Sequence, residues 1–425
     1  MKIGQYINDN FKGITPQYVE QSSTIVLNQK CIRNSIIDFG QAQYISDKQN
    51  IADKKYISKG DILICSTGQG TAGRCAYVSS IPENCKVTID SHILVCRCNN
   101  DIISAVIAYI VFSLESLVMS FLTGSSGQAE LDKLRLFNID ITIPKNKHLK
   151  NVISFLQALD AKIQLNKQIN HELEIMAKEL YDYWFVQFDF PDKNGKQYKT
   201  SGGEMVYNEQ LKREIPKGWK IENLYNIAAF DNGIICQKYR PKGQEKTLPV
   251  IKIKEMHNGI TDDTEVVVTN IPLKSKISDG DILFSWSATL EVMYWFGGSG
   301  ALNQHIFKVV PKPYFTKEYV FYQLAAYVTM FIKIAESRKT TMGHITLDHL
   351  KQSLVLLPPK EYISAFSKII SPMRTKIGKT KIENRELVKL REELLPLLMN
   401  GQATISDINN NGLNSRPVLK PKISV

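Results

Sequence analysis

The chain contains no run approaching the ~18 uninterrupted apolar residues that a membrane-spanning helix needs. Its start, Met1-Lys-Ile-Gly-Gln-Tyr6, lacks the apolar stretch of a signal peptide. The seven cysteines form no Cys-x-x-Cys pair, so the spacing of a structural zinc site is missing. Six of them (Cys31, Cys65, Cys75, Cys85, Cys96, Cys98) precede residue 100, and they read as packed thiols in a reducing, cytoplasmic compartment. Catalytic signatures are missing as well. There is no Gly-x-x-x-x-Gly-Lys-Ser/Thr loop for a nucleotide, no Gly-x-Ser-x-Gly elbow and no His-Glu-x-x-His zinc helix. No Glu-x-Lys occurs, which argues against a common metal-dependent nuclease site. Nor is there an Asn/Asp-Pro-Pro-Tyr/Phe tetrad to clamp a target adenine; Leu357-Pro-Pro-Lys360 is only an echo. The sequence predicts no metal site and no enzyme.

What is present is a globular composition, 43% apolar and 22% charged, over 425 residues. That length exceeds one ordinary core and predicts at least two domains. A net charge of +11 and a pI near 9.1 favour a polyanionic partner, because clustered Lys and Arg gain affinity by displacing counterions from phosphates.

The chain also repeats itself. Lys59-Gly-Asp-Ile-Leu-Ile-Cys-Ser66 matches Asp279-Gly-Asp-Ile-Leu-Phe-Ser-Trp286. Val26-Leu27 matches Val250-Ile251, Asp90-Ser-His-Ile93 matches Asn303-Gln-His-Ile306, and Leu131-Asp-Lys-Leu134 matches Leu347-Asp-His-Leu350. The blocks keep their order while their offsets drift, as loop insertions in a duplication would produce. Strand-like runs alternate with helical stretches (Ile102–Leu122, Lys317–Arg338) in each copy, an α+β pattern.

From Val152 to Trp184 the repeat holds without insertion against Phe366 to Leu398. Apolar residues recur at alternating spacings of four and three: Val152, Leu156, Leu159, Ile163, then Leu173 and Leu180, matched by Phe366, Ile370, Met373, Ile377, Leu387 and Leu394. This is the a/d seam of a coiled coil. Asn170 and Asn384 fall at one seam position in both copies, where a buried Asn fixes register. The alternative is two amphipathic helices, each packed on its own domain.

Gly68-Gln-Gly-Thr-Ala-Gly73 is a literal Gly-x-Gly-x-x-Gly, but Arg74-Cys-Ala-Tyr-Val78 reads as a second strand rather than a helix, so the loop closes a hairpin. His92 and His305 recur at matched positions, each opening an apolar strand without a matched ionisable partner. They read as hydrogen-bonded histidines rather than a catalytic pair.

The run Arg385-Glu-Leu-Val-Lys-Leu-Arg-Glu-Glu-Leu-Leu-Pro-Leu-Leu-Met-Asn-Gly-Gln402 resembles the distal conserved region of type I restriction–modification specificity subunits. Phe188-Asp-Phe-Pro191, Ser201-Gly-Gly-Glu-Met-Val206 and Arg213-Glu-Ile-Pro-Lys-Gly-Trp219 resemble the end of that family's central conserved region. The likeness covers nearly the whole chain. One departure stands out: Ile215–Trp219 has no counterpart ahead of Met1, so the first domain starts late.

The resemblance implies a fold of two similar α/β target-recognition domains separated by two long helices forming an antiparallel coiled coil. It places the first domain at 1–146, the central helix at 147–190, a linker at 191–214, the second domain at 215–358, the distal helix at 359–402 and a loosely ordered tail at 403–425. It further implies that each domain reads half of a split site on double-stranded DNA. The helices would be the spacer and the docking surface for two modification (methyltransferase) subunits. S-adenosylmethionine would sit on those partners, and ATP and magnesium on a restriction subunit, with no cofactor on this chain. A helix from Leu149 to Gln187 would span roughly 58 Å at ~1.5 Å per residue, holding the readers at least about one DNA turn apart.

Base contacts are expected from polar loop residues. In the first domain these are Ser66, Thr67, Gln69, Thr71 and Arg74, with Ser125, Ser126 and Gln128. In the second they are Trp286, Ser287, Thr289 and Gln304, with Arg338, Lys339, Thr340, Thr341 and His344. Gln128 suits adenine and Arg74 guanine, while Tyr239, Arg240, Lys242 and Lys246 suit phosphates. Plain solvated loops are the competing reading for 125–128 and 339–341. For the whole chain, the alternative is a coiled-coil scaffold whose basic charge is incidental.

Overall fold

The computed structural model describes residues 1–68, 70–83, 85–124, 129–143, 149–337 and 344–399. They fall into two compact units: residues 1–165 with the described segment from 386, and residues 166–385. Each unit holds one mixed α/β domain and part of both long helices.

In the first unit the Gly60-Asp61 turn sets up the central strand. Gly60 takes φ +95°, a left-handed value that glycine adopts without strain, and the Asp61 carboxylate accepts from the Ser58 amide at 2.8 Å. Strands β1 (Asp9–Lys12), β2 (Ile62–Cys65), β3 (Cys75–Tyr77) and β4 (Ile93–Arg97) form an antiparallel sheet in the order β1-β4-β2-β3. Successive side chains of β2 point to opposite faces. Ile62 and Ile64 meet helix α1 (Asp101–Ser113), whereas Leu63 and Cys65 meet a second sheet of residues 24–27, 43–45 and 86–89. With both faces covered, the strand is apolar throughout rather than alternating.

The second unit repeats this plan. Strands β5 (Ala228–Asn232), β6 (Ile282–Ser285), β7 (Glu291–Tyr294) and β8 (Ile306–Pro311) stand in the order β5-β8-β6-β7. Even the register is kept: Ile62 faces Cys96, and the matched Ile282 faces Val309. Each domain also passes its backbone too close for a side chain at a matched glycine. A Cβ on Gly13 would lie 2.1 Å from the Ile89 and Asp90 carbonyl oxygens, and one on Gly233 would lie 2.1 Å from that of Asn303.

Helices α2 (Leu149–Tyr181) and α4 (Lys360–Met399) flank α3 (Lys317–Ser337) in the chain and run antiparallel to each other. Within the first unit, Val152 and Leu156 share a core with Leu395 and Leu398, and Asp160 meets Arg391. Within the second, Asn166 meets Asn384, and Tyr181 and Trp184 share a core with Phe366 and Ile370. The matched asparagines Asn170 and Asn384 do not face one another. Asn166 donates to Asn384 at 2.9 Å, and Thr380 donates to Asn170; these two contacts are the same one seen from either end of an antiparallel pair.

The segment expected as a linker is folded. Met205–Asn208 pairs with Arg213–Pro216 as a hairpin, and Phe190 stacks between Tyr198 and Trp219 at 4.7 and 5.0 Å. Its polar, Gly-containing composition serves the turns of this small sheet, and the aromatics supply the core.

Candidate nucleic-acid interface

The hairpin between β2 and β3 carries the first group of candidate residues. Ser66 is buried, and both its amide and its hydroxyl donate to the His92 carbonyl, at 2.8 and 3.0 Å. It thus serves the frame of the loop, not its surface. Thr67 shares a 2.6 Å hydrogen bond with His92 Nδ1 and accepts from the Gln29 amide side chain at 3.1 Å. Thr71 donates back to the Thr67 and Gly68 carbonyls, and Arg74 Nη2 donates to the Gly70 carbonyl at 2.7 Å. The glycines at 68, 70 and 73 all take positive φ, which lets the loop fold over itself between antiparallel neighbours, as in a hairpin.

The second domain builds the same clamp around a shorter hairpin. Trp286 N donates to the His305 carbonyl at 3.3 Å, the counterpart of Ser66 to His92. Leu131 N donates to Ser66 O at 2.7 Å, and in the second copy Ile345 N donates to Trp286 O at 2.9 Å. The structure thus sets Leu131 against Ile345, two residues ahead of the Leu347 that the sequence repeat matched to it. Asp90 accepts from the His92 amide at 3.0 Å and Asn303 from the His305 amide at 3.2 Å. Burial raises the Asp90 carboxyl above the usual range. The tips differ. In the second copy the Trp286 ring lies 5.6 Å from His305 and 6.2 Å from His344, Ser287 is buried, and Thr289 is exposed beside Ala288 at φ +60°. Gln304 and His305 share a 3.3 Å contact at the rim.

The fold thus gathers Thr67, Thr71, Arg74 and His92 in one unit, and Trp286, Gln304, His305 and His344 in the other. Burial, and then the charge of Arg74, lowers the guanidinium pKa of Arg33. It sits on a two-residue hairpin whose Asn34 and Ser35 both take positive φ, the turn that such hairpins favour. Sequence reading matched the turn of this hairpin, Asn34-Ser-Ile36, to Asn258-Gly-Ile260 in the second copy, but it missed Arg33, which stands just ahead of the matched residues. His92 and Gln29, read as structural or not read at all, shape the first loop.

Tyr239, Arg240, Lys242 and Lys246 lie on a separate stretch. Tyr239 packs against an apolar cluster, Arg240 pairs with Glu265 at 3.3 Å, and Lys242 and Lys246 are exposed. Gln69, Ser125, Ser126, Gln128, Arg338, Lys339, Thr340 and Thr341 lie outside the described residues. Burial pushes the Cys31 thiol up to about 11 and that of Cys65 to about 12, so both are thiols at neutral pH and poor metal ligands. Among the described residues no group of three or more His, Cys, Asp or Glu is placed to hold a metal, and no helix is long and apolar enough to cross a membrane.

One polar-tipped frame built twice, with paired long helices, defines a duplicated two-domain α/β protein. The type I restriction modification DNA specificity domain matches twice, over residues 15–175 and 216–390. The HindI specificity subunit of Haemophilus influenzae is 25% identical over 411 residues, covering 82% of this chain and 88% of that protein. The MjaIX specificity subunit of Methanocaldococcus jannaschii is 24% identical over 297 residues, covering 68% and 66%. The S subunit structure from M. genitalium aligns over 94% of this chain and 95% of its own, at 13% identity and a TM-score of 0.49. The chain belongs to the type I restriction–modification DNA specificity family.

Proposed function

We propose that each α/β domain reads one half of a bipartite, asymmetric site on double-stranded DNA. The observation that carries this is the doubled clamp: hydrogen bonds and register are kept between copies while the tip residues change. A kept frame with altered tips suits two readers of different sequences, since phosphate contacts position a protein and tip side chains specify bases. The helix pair is the spacer and the docking surface for two modification subunits, whose twofold character matches the internal duplication. Methyl transfer and its S-adenosylmethionine belong to those subunits, and ATP- and magnesium-dependent cleavage to a restriction subunit. This chain supplies address rather than chemistry.

Co-expression with a modification subunit, followed by genome-wide mapping of methylated adenines, tests the reading. The expected pattern is two short sequences at a fixed separation, dependent on this chain. The purified chain given S-adenosylmethionine, ATP and magnesium should neither methylate nor cut DNA. Methylation at one uninterrupted motif, or turnover by the chain alone, would contradict the proposal.

A further inference from the structure

The two copies differ sharply where the long helices meet their domain, within each unit. In the first, Arg391 is fully buried; it donates to Asp160 at 2.6 Å and lies 4.8 Å from the centre of the Phe112 ring. The Tyr109 hydroxyl donates to the same carboxylate at 2.6 Å. The constant offset between the helices puts Ala177 at the position of Arg391 and Arg374 at that of Asp160. Counted from the first residue of its own helix, Tyr109 corresponds to Ala325. Two large side chains of the first copy are therefore alanines in the second. A cavity of about 490 Å³ lies there, bordered by both alanines and by Tyr181, Tyr294, Phe321 and Tyr322.

The cavity's walls are rings. Tyr294 stacks on Phe321 at 4.4 Å and Tyr181 on Tyr322 at 5.3 Å. Of the charges at its border, Arg374 is matched with Glu318 at 2.6 Å, Glu174 with Lys381 at 2.9 Å and Lys178 with Asp182, while the half-buried Glu291 faces His257 at 3.0 Å. An anionic guest would meet no spare counter-charge, a cationic one would have to draw Glu291 away from His257, and a slender aliphatic one would leave the ring faces and edges unused. We infer that this cavity binds a neutral, planar aromatic ring, seated where the first copy seats Tyr109 and the stem of Arg391. The volume lies within the range of small-molecule sites, and ring-to-ring packing adds to what area burial alone supplies. Such a ring has two sources: a free small molecule, or an aromatic side chain of a docked modification subunit. The second rests on the docking role proposed above.

The test titrates the full chain with indole, followed by ligand-observed NMR and by thermal unfolding. Saturable binding and a raised melting temperature are expected for the wild type. Ala325→Tyr gives the second copy the residue the first already carries and should weaken indole binding at least tenfold. Ala326→Leu fills the same space by another route and decides the matter if the tyrosine variant does not fold. Indole that fails to bind the wild type, or binds it no better than the filled variants, overturns the inference. Assembly with the modification subunit then separates the sources. Assembly weakened about tenfold by filling, with indole competing, assigns the ring to the partner; unchanged assembly with lost indole binding assigns it to a free ligand. Mapping methylated sites with the filled variants keeps DNA reading as a separate question.

Discussion

Among the described residues Arg391 is the largest side chain that the fold buries completely, and its Nε and Nη2 have no hydrogen-bond partner among them. One carboxylate and one ring face hold its charge. Removing it should be costly, because the carboxylate of Asp160 would stay buried without its cation. Arg391→Ala is expected to lose about 3–5 kcal/mol in urea unfolding, whereas a joint Asp160→Leu, Arg391→Leu change should recover most of that. Burial already holds the Asp160 carboxyl above its usual range, with Arg391 as the chief opposing influence. In Arg391→Ala the folded-state pKa rises further, so stability from the protonated acid is fully present below about pH 3.9 and is lost as pH rises through the folded value. Stability of the variant that rose towards neutral pH would refute this. At this scale the sequence was only partly legible. Arg391 stands at a seam position that periodicity marks as apolar, and only the fold brings it to Asp160. Gly13 and Gly233 recur in the two copies as well, but a Gly-Ile pair is too short to stand out, and their close backbone approach is a tertiary fact.

The helices were the most legible elements, because a 4–3 apolar spacing is dictated by their own geometry. The Gly-Asp-Ile-Leu turns and the hairpin after them were legible for the same local reason. What periodicity does not carry is which seam residue meets which. Asn170 and Asn384 match in sequence, yet an antiparallel pair sets Asn170 against Thr380 and Asn384 against Asn166. The Asn166 side chain also donates to Glu383 at 2.8 Å. Polar contacts of this kind specify one register over its neighbours. If the helix pair is the spacer, inserting seven residues after both Lys167 and Lys381 keeps the apolar face and lengthens each strand by roughly 10 Å at ~1.5 Å per residue. With DNA rising about 3.4 Å per base pair, the mapped gap between half-sites should grow by about three base pairs, with both half-site sequences unchanged. A gap that stayed at its original length would rule out the helices as the ruler.

Across the whole molecule the duplication was readable as order, offset and strand run, since both copies solve one packing problem: a central sheet covered by a helix on one face and a smaller sheet on the other. The base-reading side chains were far less readable. Loop residues carry no periodicity, and Ser66 and Ser287 proved to be buried in the frame although both looked like exposed polar tips. Arg33, whose guanidinium pKa is lowered by burial and then by the Arg74 charge, stands one residue ahead of the matched Asn34-Ser-Ile36 turn and has no counterpart in it. The central claim is that two separable domains read two different half-sites. It is tested most directly by replacing residues 220–355 with the matching segment of a related subunit, then mapping methylated adenines genome-wide in cells that also make the modification subunit. The account predicts that one half-site changes while the other and the gap between them persist. A change in both half-sites, or in neither, would contradict it.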